Sequence, residues 1–303
     1  MTIKIIFMSD LHLRKPSDSA YRSLKKSIKH TVDLDSIDAV LLGGDLSDFK
    51  NGFQYVLQDL TDDLFPTCPI GVVSGNHDIW GQYWDNKMTS DYVLFKEMPR
   101  ICKMFPNVTW LEESTIKIGN WLFAGSLAWY DYSSKREGDA TVRMMPDDFY
   151  VQNKANSSAD ARYVHFSQSD IALSQELREN LTTRLGTDLK KSGVDNLAVF
   201  THVPVFSGAI QWKDSNWNLG CQYFYNLTLG DSLRKYDKLK LVMSGHTHHG
   251  VEETLVNEIG TDFQHLVSYA DYGHPEAYLL ELEEDGTVKH KRIGLYHKFN
   301  NNF

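Results

Sequence analysis

Apolar residues along the chain fall into short runs that alternate with stretches of helical spacing. Ile3–Met8 is nearly continuous and β-type, and Asp38-Ala39-Val40-Leu41-Leu42 and Pro69-Ile70-Gly71-Val72-Val73-Ser74 repeat that pattern. Between them, residues 21–31 carry Leu24 and Ile28 at helical spacing, and 53–60 read as a second helix. Strands separated by helices predict βαβ units and a parallel sheet. Residues 115–127 read as a hairpin turning at Gly119-Asn120. The stretch 130–162 is polar and irregular, and Asn153-Lys154-Ala155-Asn156-Ser157-Ser158 has the composition of a loop. Ile171, Leu177, Leu181, Leu185 and Leu189 then mark a long amphipathic helix ending near Gly193. Strand signals return at 197–200 and 239–243, separated by an aromatic, polar insert over 206–236. The tail, 262–291, alternates as antiparallel strands do, with a turn at Glu284-Asp285-Gly286. A single α/β domain over 1–303, with inserts at about 130–162 and 206–236, accounts for this order.

Composition narrows the class. The 303 residues suit one large α/β domain, and no stretch approaches eighteen apolar residues, so no membrane span is expected. The N-terminal apolar run enters Ser9-Asp10 without a charged leader or a small-residue cleavage site, and reads as a strand. Cys68, Cys102 and Cys221 are scattered, with neither CxxC spacing nor a disulfide framework; a reducing, cytoplasmic setting is expected. The net charge of −9 disfavours a protein that binds nucleic acid through its whole surface. Nucleic acid stays open only as a substrate.

The chemistry lies where the strands end. Asp10 and His12 follow the first strand, and Asp45 follows the second within Gly43-Gly44-Asp45. Asn76, His77 and Asp78 follow the third within Gly75-Asn76-His77-Asp78; His202 and Gly245-His246-Thr247-His248 follow the strands ending at Phe200 and Met243. Ligands of open α/β sheets bind beyond the carboxyl ends of the strands, so carboxylate, imidazole and amide oxygen meet at one edge. That donor set suits Mn²⁺, Fe, Zn²⁺ or Ni²⁺. Strand alternation accounts for the Asp-x-His and His-x-His spacings, because residues two apart in an extended chain face the same side. Gly44, Gly75 and Gly245 allow close backbone approach. Singly these are ordinary turn or cap sequences. Five in this order, each after a strand, point to a metal site.

The series D-x-H, G-D, G-N-H-D, H, G-H-x-H resembles the signature of the calcineurin-like metallophosphoesterases over residues 3–250, with every element intact. The resemblance implies a four-layer α/β/β/α sandwich with a dinuclear site at one edge. It also implies that Asp10, His12 and His248 hold a first metal, that Asn76, His202 and His246 hold a second, and that Asp45 bridges them. Two divalent cations about 3.5–4 Å apart can share a hydroxide, lower its pKa and clamp a phosphoryl group during in-line attack. By the same resemblance His77 is no ligand but serves the leaving-group oxygen, and Asp78 orients His77.

The remaining histidines, His30, His165, His249, His265, His274, His290 and His297, read as surface or core residues. Asp48 and Arg14 lie near the expected ligands, and Trp129-Tyr130-Asp131 follows a strand, without a defined role. The aromatic insert lines the cleft or forms a satellite core. Both inserts leave strand ends that carry the site, so they are expected to govern substrate choice and not metal binding. The expected activity is hydrolysis of a phosphomonoester or phosphodiester. A nuclease or cyclic-nucleotide phosphodiesterase is the alternative. A non-catalytic interaction scaffold ranks last, because no expected ligand is missing. The His-x-His-x-Asp-His run of β-lactamase-type hydrolases is absent.

Overall fold

A computed structural model describes residues 2–84 and 88–294; His297 lies outside them. The first apolar run forms β1 (Ile3–Met8), followed by β2 (Ala39–Leu42), β3 (Ile70–Val72) and β4 (Val108–Trp110). The chain then makes β5 (Ile116–Ile118), β6 (Trp121–Ser126), β7 (Asn196–Thr201) and β8 (Leu239–Ser244). It closes with β9 (Val251–Val256), β10 (Asp262–Val267), β11 (Ala277–Leu282) and β12 (Val288–Ile293).

These strands build two six-stranded mixed sheets, ordered β12-β11-β1-β2-β3-β4 and β5-β6-β7-β8-β10-β9. β1 to β4 run parallel in one sheet, and β6, β7, β8 and β10 run parallel in the other. Period-two alternation divides the side chains of β1 between two cores. Ile5 and Phe7 point between the sheets, where Phe7 stacks on Phe200 at 5.6 Å. Ile6 and Met8 point outward, into the core that also takes Leu24, Ile28, Val56 and Leu60 of the helices Ser19–Thr31 and Gly52–Asp63. On the far side, Leu181 and Leu185 of the helix Asp170–Asp188 cover Leu122 and Val199. Helix, sheet, sheet and helix make the expected four-layer sandwich. No helix among the described residues is long and apolar enough to cross a membrane.

Three local readings are corrected. Residues 153–158 are not a loop: most of them close the helix Asp147–Ser157, which Pro146 precedes and Asp147 and Asp148 open. Acidic residues in the first turn favour a helix through its dipole. Burial of Tyr150 and the 2.6 Å pair of Lys154 with Asp170 then anchor its otherwise polar surface. The tail is antiparallel only in part, since β11 and β12 join β1 whereas β10 lies parallel to β8 in the other sheet. β9, an edge strand with Glu252 and Glu253 at its centre, alternates between half-buried and exposed positions and lacks an apolar run. The long helix stops at Asp188, several residues before Gly193.

Candidate metal centre

The C-terminal ends of β1, β2 and β3 face those of β7 and β8 across the sandwich, and the expected site residues lie in the turns between. These turns are not extended. Asp10, His12, Asp45, His246 and His248 all have positive φ, between 41° and 71°. Asp10/His12 and His246/His248 therefore converge through left-handed backbone and not through strand alternation, as the spacing had suggested. Non-glycine residues held there cost of order 1–3 kcal/mol each and cluster where function requires them. The turns of β1 and β2 are laced together by Asp10 N–H to Gly44 O and His12 N–H to Asp45 O, both 3.0 Å. Two glycines leave room for carboxylates. A Cβ on Gly75 would lie 2.0 Å from Asp45 Oδ1, and one on Gly245 would lie 2.2 Å from Asp10 Oδ2.

Three overlapping groups of donor atoms result, Asp10/His12/His248, Asp45/His202/His246 and, sharing His12 with the first, His12/Asp48/His77. Asn76 joins the second, its Oδ1 3.0 Å from both His202 Nε2 and His246 Nδ1, which are themselves 3.1 Å apart. Asp45 stands between the groups, with Oδ2 3.5 Å from His12 Nε2 and from His202 Nε2.

Hydrogen bonds at the opposite ring nitrogens explain why lone pairs point inward. His202 Nδ1 donates to Gly43 O at 2.9 Å, His248 Nδ1 to Ala270 O at 3.0 Å, and His12 Nδ1 to Asp48 Oδ1 at 3.2 Å. An acceptor on one nitrogen fixes the tautomer and leaves the other as a ligand. The Asn76 Nδ2 likewise donates to Asp160 at 2.9 Å, which turns its oxygen inward. Acceptor atoms gathered this closely repel one another unless a cation lies among them. Asp10 Oδ2 and His12 Nε2 are buried without a hydrogen-bond partner. The field has the matching sign at His202 and Asp45, whereas burial and the neighbouring His202 hold His246 well below the ordinary imidazole value. Burial opposes protonation of His202, but Asp45 and Asp10 carry its pKa up to about 9. Burial likewise opposes ionisation of Asp45, yet His202, His77 and His12 hold its carboxyl well below the usual range. A point that attracts a proton so strongly attracts a metal cation as well. The residues fit a pair of divalent ions.

The model of the calcineurin-like phosphoesterase family matches residues 3–250. The chain belongs to that family. It is a metal-dependent phosphoesterase, and the family typically binds dinuclear divalent metals. Among solved structures it is similar to phosphopantetheinyl hydrolase from Mycobacterium tuberculosis, with 16% identity, a TM-score of 0.63, and coverage of 88% of this chain and 89% of that one. It is also similar to TT1561 from Thermus thermophilus, with 12% identity, a TM-score of 0.50, and coverage of 97% and 100%. At such identities the likeness speaks to fold. Among curated proteins, none matches this sequence significantly.

One residue pairing in the phosphoesterase differs from expectation. Asp78 directs its carboxylate away from His77, accepting from Leu46 N–H at 2.9 Å and Gly75 N–H at 2.8 Å. It ties the second and third turns together; burial and the nearby Asp45 raise its pKa to about 7. The orienting carboxylate of His77 is Asp48, whose Oδ1 accepts from His77 Nδ1 at 2.8 Å as well as from His12. Trp80 stacks on the His77 ring at 3.7 Å, and Tyr163 stacks on Trp80 at 4.6 Å. His77 Nε2 lies at the cleft, hydrogen-bonded to Tyr272 Oη at 3.3 Å. Burial opposes protonation of His77, but Asp45 and Asp48 outweigh it and raise its pKa above the ordinary imidazole value.

The first insert reaches the residues of the centre through Asp160. Asp160, buried at 2% exposure, accepts from Asn76, from Trp80 Nε1 at 2.8 Å and from Tyr130 Oη at 3.3 Å. The first insert thus positions both the amide of Asn76 and the ring beneath His77. The aromatic insert plays both expected parts: Ala209, Cys221, Tyr225 and Leu227 pack a small core with Val267, and Phe224 lines the cleft over His246. Asp160→Ala is expected to lower divalent-metal affinity by about 10–100-fold, the range for outer-shell partners. One metal should be lost before the other in a Mn²⁺ titration; unchanged affinities would remove Asp160 from the centre.

Proposed function

We propose that this phosphoesterase is a two-metal phosphodiesterase. Asp10, His12 and His248 would hold one ion and Asn76, His202 and His246 the other, with Asp45 shared between them. The observation that carries this reading is the placement of Asp45 Oδ2 at 3.5 Å from one imidazole of each group. When bound, such a pair acts as a Lewis acid toward the phosphoryl oxygens and supplies a water nucleophile at neutral pH. The protein's own residues do the rest. Asp48 and the Trp80 ring fix His77 so that Nε2 faces the cleft, where its proton serves the departing ester oxygen. Asp160 keeps the Asn76 oxygen turned inward.

Diesters are favoured over monoesters by the charge of the cleft. Its walls include Asp45, Asp160, Trp80, Tyr272 and Phe224 but, among the described residues, neither lysine nor arginine. A monoester dianion carries a second negative charge, for which the described lining offers His77 but neither lysine nor arginine, whereas a diester carries one. With Mn²⁺ present, kcat/KM for bis-p-nitrophenyl phosphate is expected to exceed that for p-nitrophenyl phosphate by about tenfold or more, the difference for one unmet charge–charge contact. A preference for the monoester would reverse the assignment.

A further inference from the structure

The cleft does not end at the metal centre. A second cavity of about 480 Å³ lies beside it, and both count Ser157 and Phe224 among their walls. Phe224 is the partition. Its ring centroid lies 5.5 Å from that of His246 on one side and 5.9 Å from that of Trp217, stacked at 29°, on the other. The volume falls within the range of about 300–1,000 Å³ typical of small-molecule pockets.

The lining selects the ligand. Phe149, Trp217 and Phe224 supply aromatic surface, Asn153, Asn156 and Asn216 supply amides, and no lining residue is charged. Asn153 commits one N–H to Phe149 O at 2.8 Å, leaving its carbonyl oxygen available. Asn156 and Asn216 make no side-chain hydrogen bond among the described residues. No charged residue lines the wall to neutralise a charged ligand, and an aliphatic chain would forgo the hydrogen bonds that the three amides offer. A planar, uncharged heterocycle bearing its own donors and acceptors satisfies both rings and amides.

We propose that this cavity is a specificity subsite for a nucleobase-like heterocycle carried on a phosphodiester whose phosphorus lies at the metal centre. The substrate class is then a nucleotide diester. The assignment rests on the phosphodiesterase reading above, and its test separates the two.

Gly220 allows the cavity to be filled from its wall. Its φ of −68° is one any residue adopts, and a Cβ there meets nothing within 4 Å. Gly220→Trp, with Gly220→Leu as a smaller step, adds bulk at the cavity wall, and elemental analysis checks that the metal content is unchanged. Two diesters share one leaving group and one charge: thymidine 5′-p-nitrophenyl phosphate and methyl p-nitrophenyl phosphate. The wild type is expected to favour the thymidine ester by about tenfold or more in kcat/KM. Gly220→Trp should abolish that preference while changing the methyl ester by less than about twofold, and Gly220→Leu should fall between. Equal rates on the two esters in the wild type, or equal losses on both in the variants, would overturn the proposal. A separate arm needs no turnover: thymidine titrated into the Mn²⁺-loaded protein should bind saturably at about 1 mM or tighter, and not bind Gly220→Trp. If neither ester is hydrolysed, the phosphodiesterase reading fails, and the titration alone decides the subsite. Absence of saturable thymidine binding would overturn it.

Discussion

His77→Gln is expected to keep both metals and near-normal substrate affinity while kcat falls by about 10²–10⁴-fold, the usual contribution of a general acid. The imidazole is held from two sides, by Asp48 at Nδ1 and by the Trp80 face, so that only Nε2 meets the cleft. Glutamine fills similar space and can donate a hydrogen bond but cannot deliver a proton. The loss should therefore follow the leaving group. A p-nitrophenolate departs with little protonation, and its ester should suffer less than an alkyl ester with a poor leaving group. A uniform loss across leaving groups would mean that His77 stabilises charge without transferring a proton. Loss of metal in the variant would make His77 a ligand or the support of one.

Asp45→Asn is expected to empty both metal positions together and to abolish turnover. One oxygen of Asp45 accepts the His77 backbone N–H at 2.8 Å, and the other lies 3.5 Å from His12 and His202. An asparagine that keeps the first contact turns its NH₂ toward the two imidazoles, where its protons occupy the lone pairs that a metal needs. It also removes the negative charge shared by both positions. Metal affinity should fall by more than about 100-fold, beyond the range of an outer-shell change. His12→Ala, which touches one group only, should weaken one position more than the other. Equal, mild losses from the two substitutions would deny Asp45 a bridging place.

The sandwich was readable because β1, β2, β3, β7 and β8 are buried on both faces, and such strands appear as apolar runs. β9 escaped because an edge strand need not be apolar. At the centre, residue types in order at strand ends carried the reading, since the chemistry of a metal site restricts them. How they converge was not legible. Asp and His are enriched at positive φ, but that preference is too weak to single out Asp10, His12, Asp45, His246 and His248, whose left-handed backbone is fixed by tertiary contacts. Asp160 escaped for another reason. It reaches Asn76 across 84 positions from the short helix Asp160–Tyr163, which follows the loop-like run Asn153–Ser158, and no local pattern encodes that contact. Asp48 was visible as a neighbour of the site, but its choice of His77 over the Asp78 alternative depends on backbone N–H groups that claim Asp78 first.

A bridged pair of divalent ions is what the proposed arrangement of donor atoms requires. The most direct measurement is the metal content of protein loaded with Mn²⁺, freed of excess ion and analysed for the element against protein concentration. Two ions per chain are expected, as a bridged pair of sites requires, and none in Asp45→Asn prepared alongside. One tightly held ion in the wild type, or two retained in the variant, would contradict that arrangement.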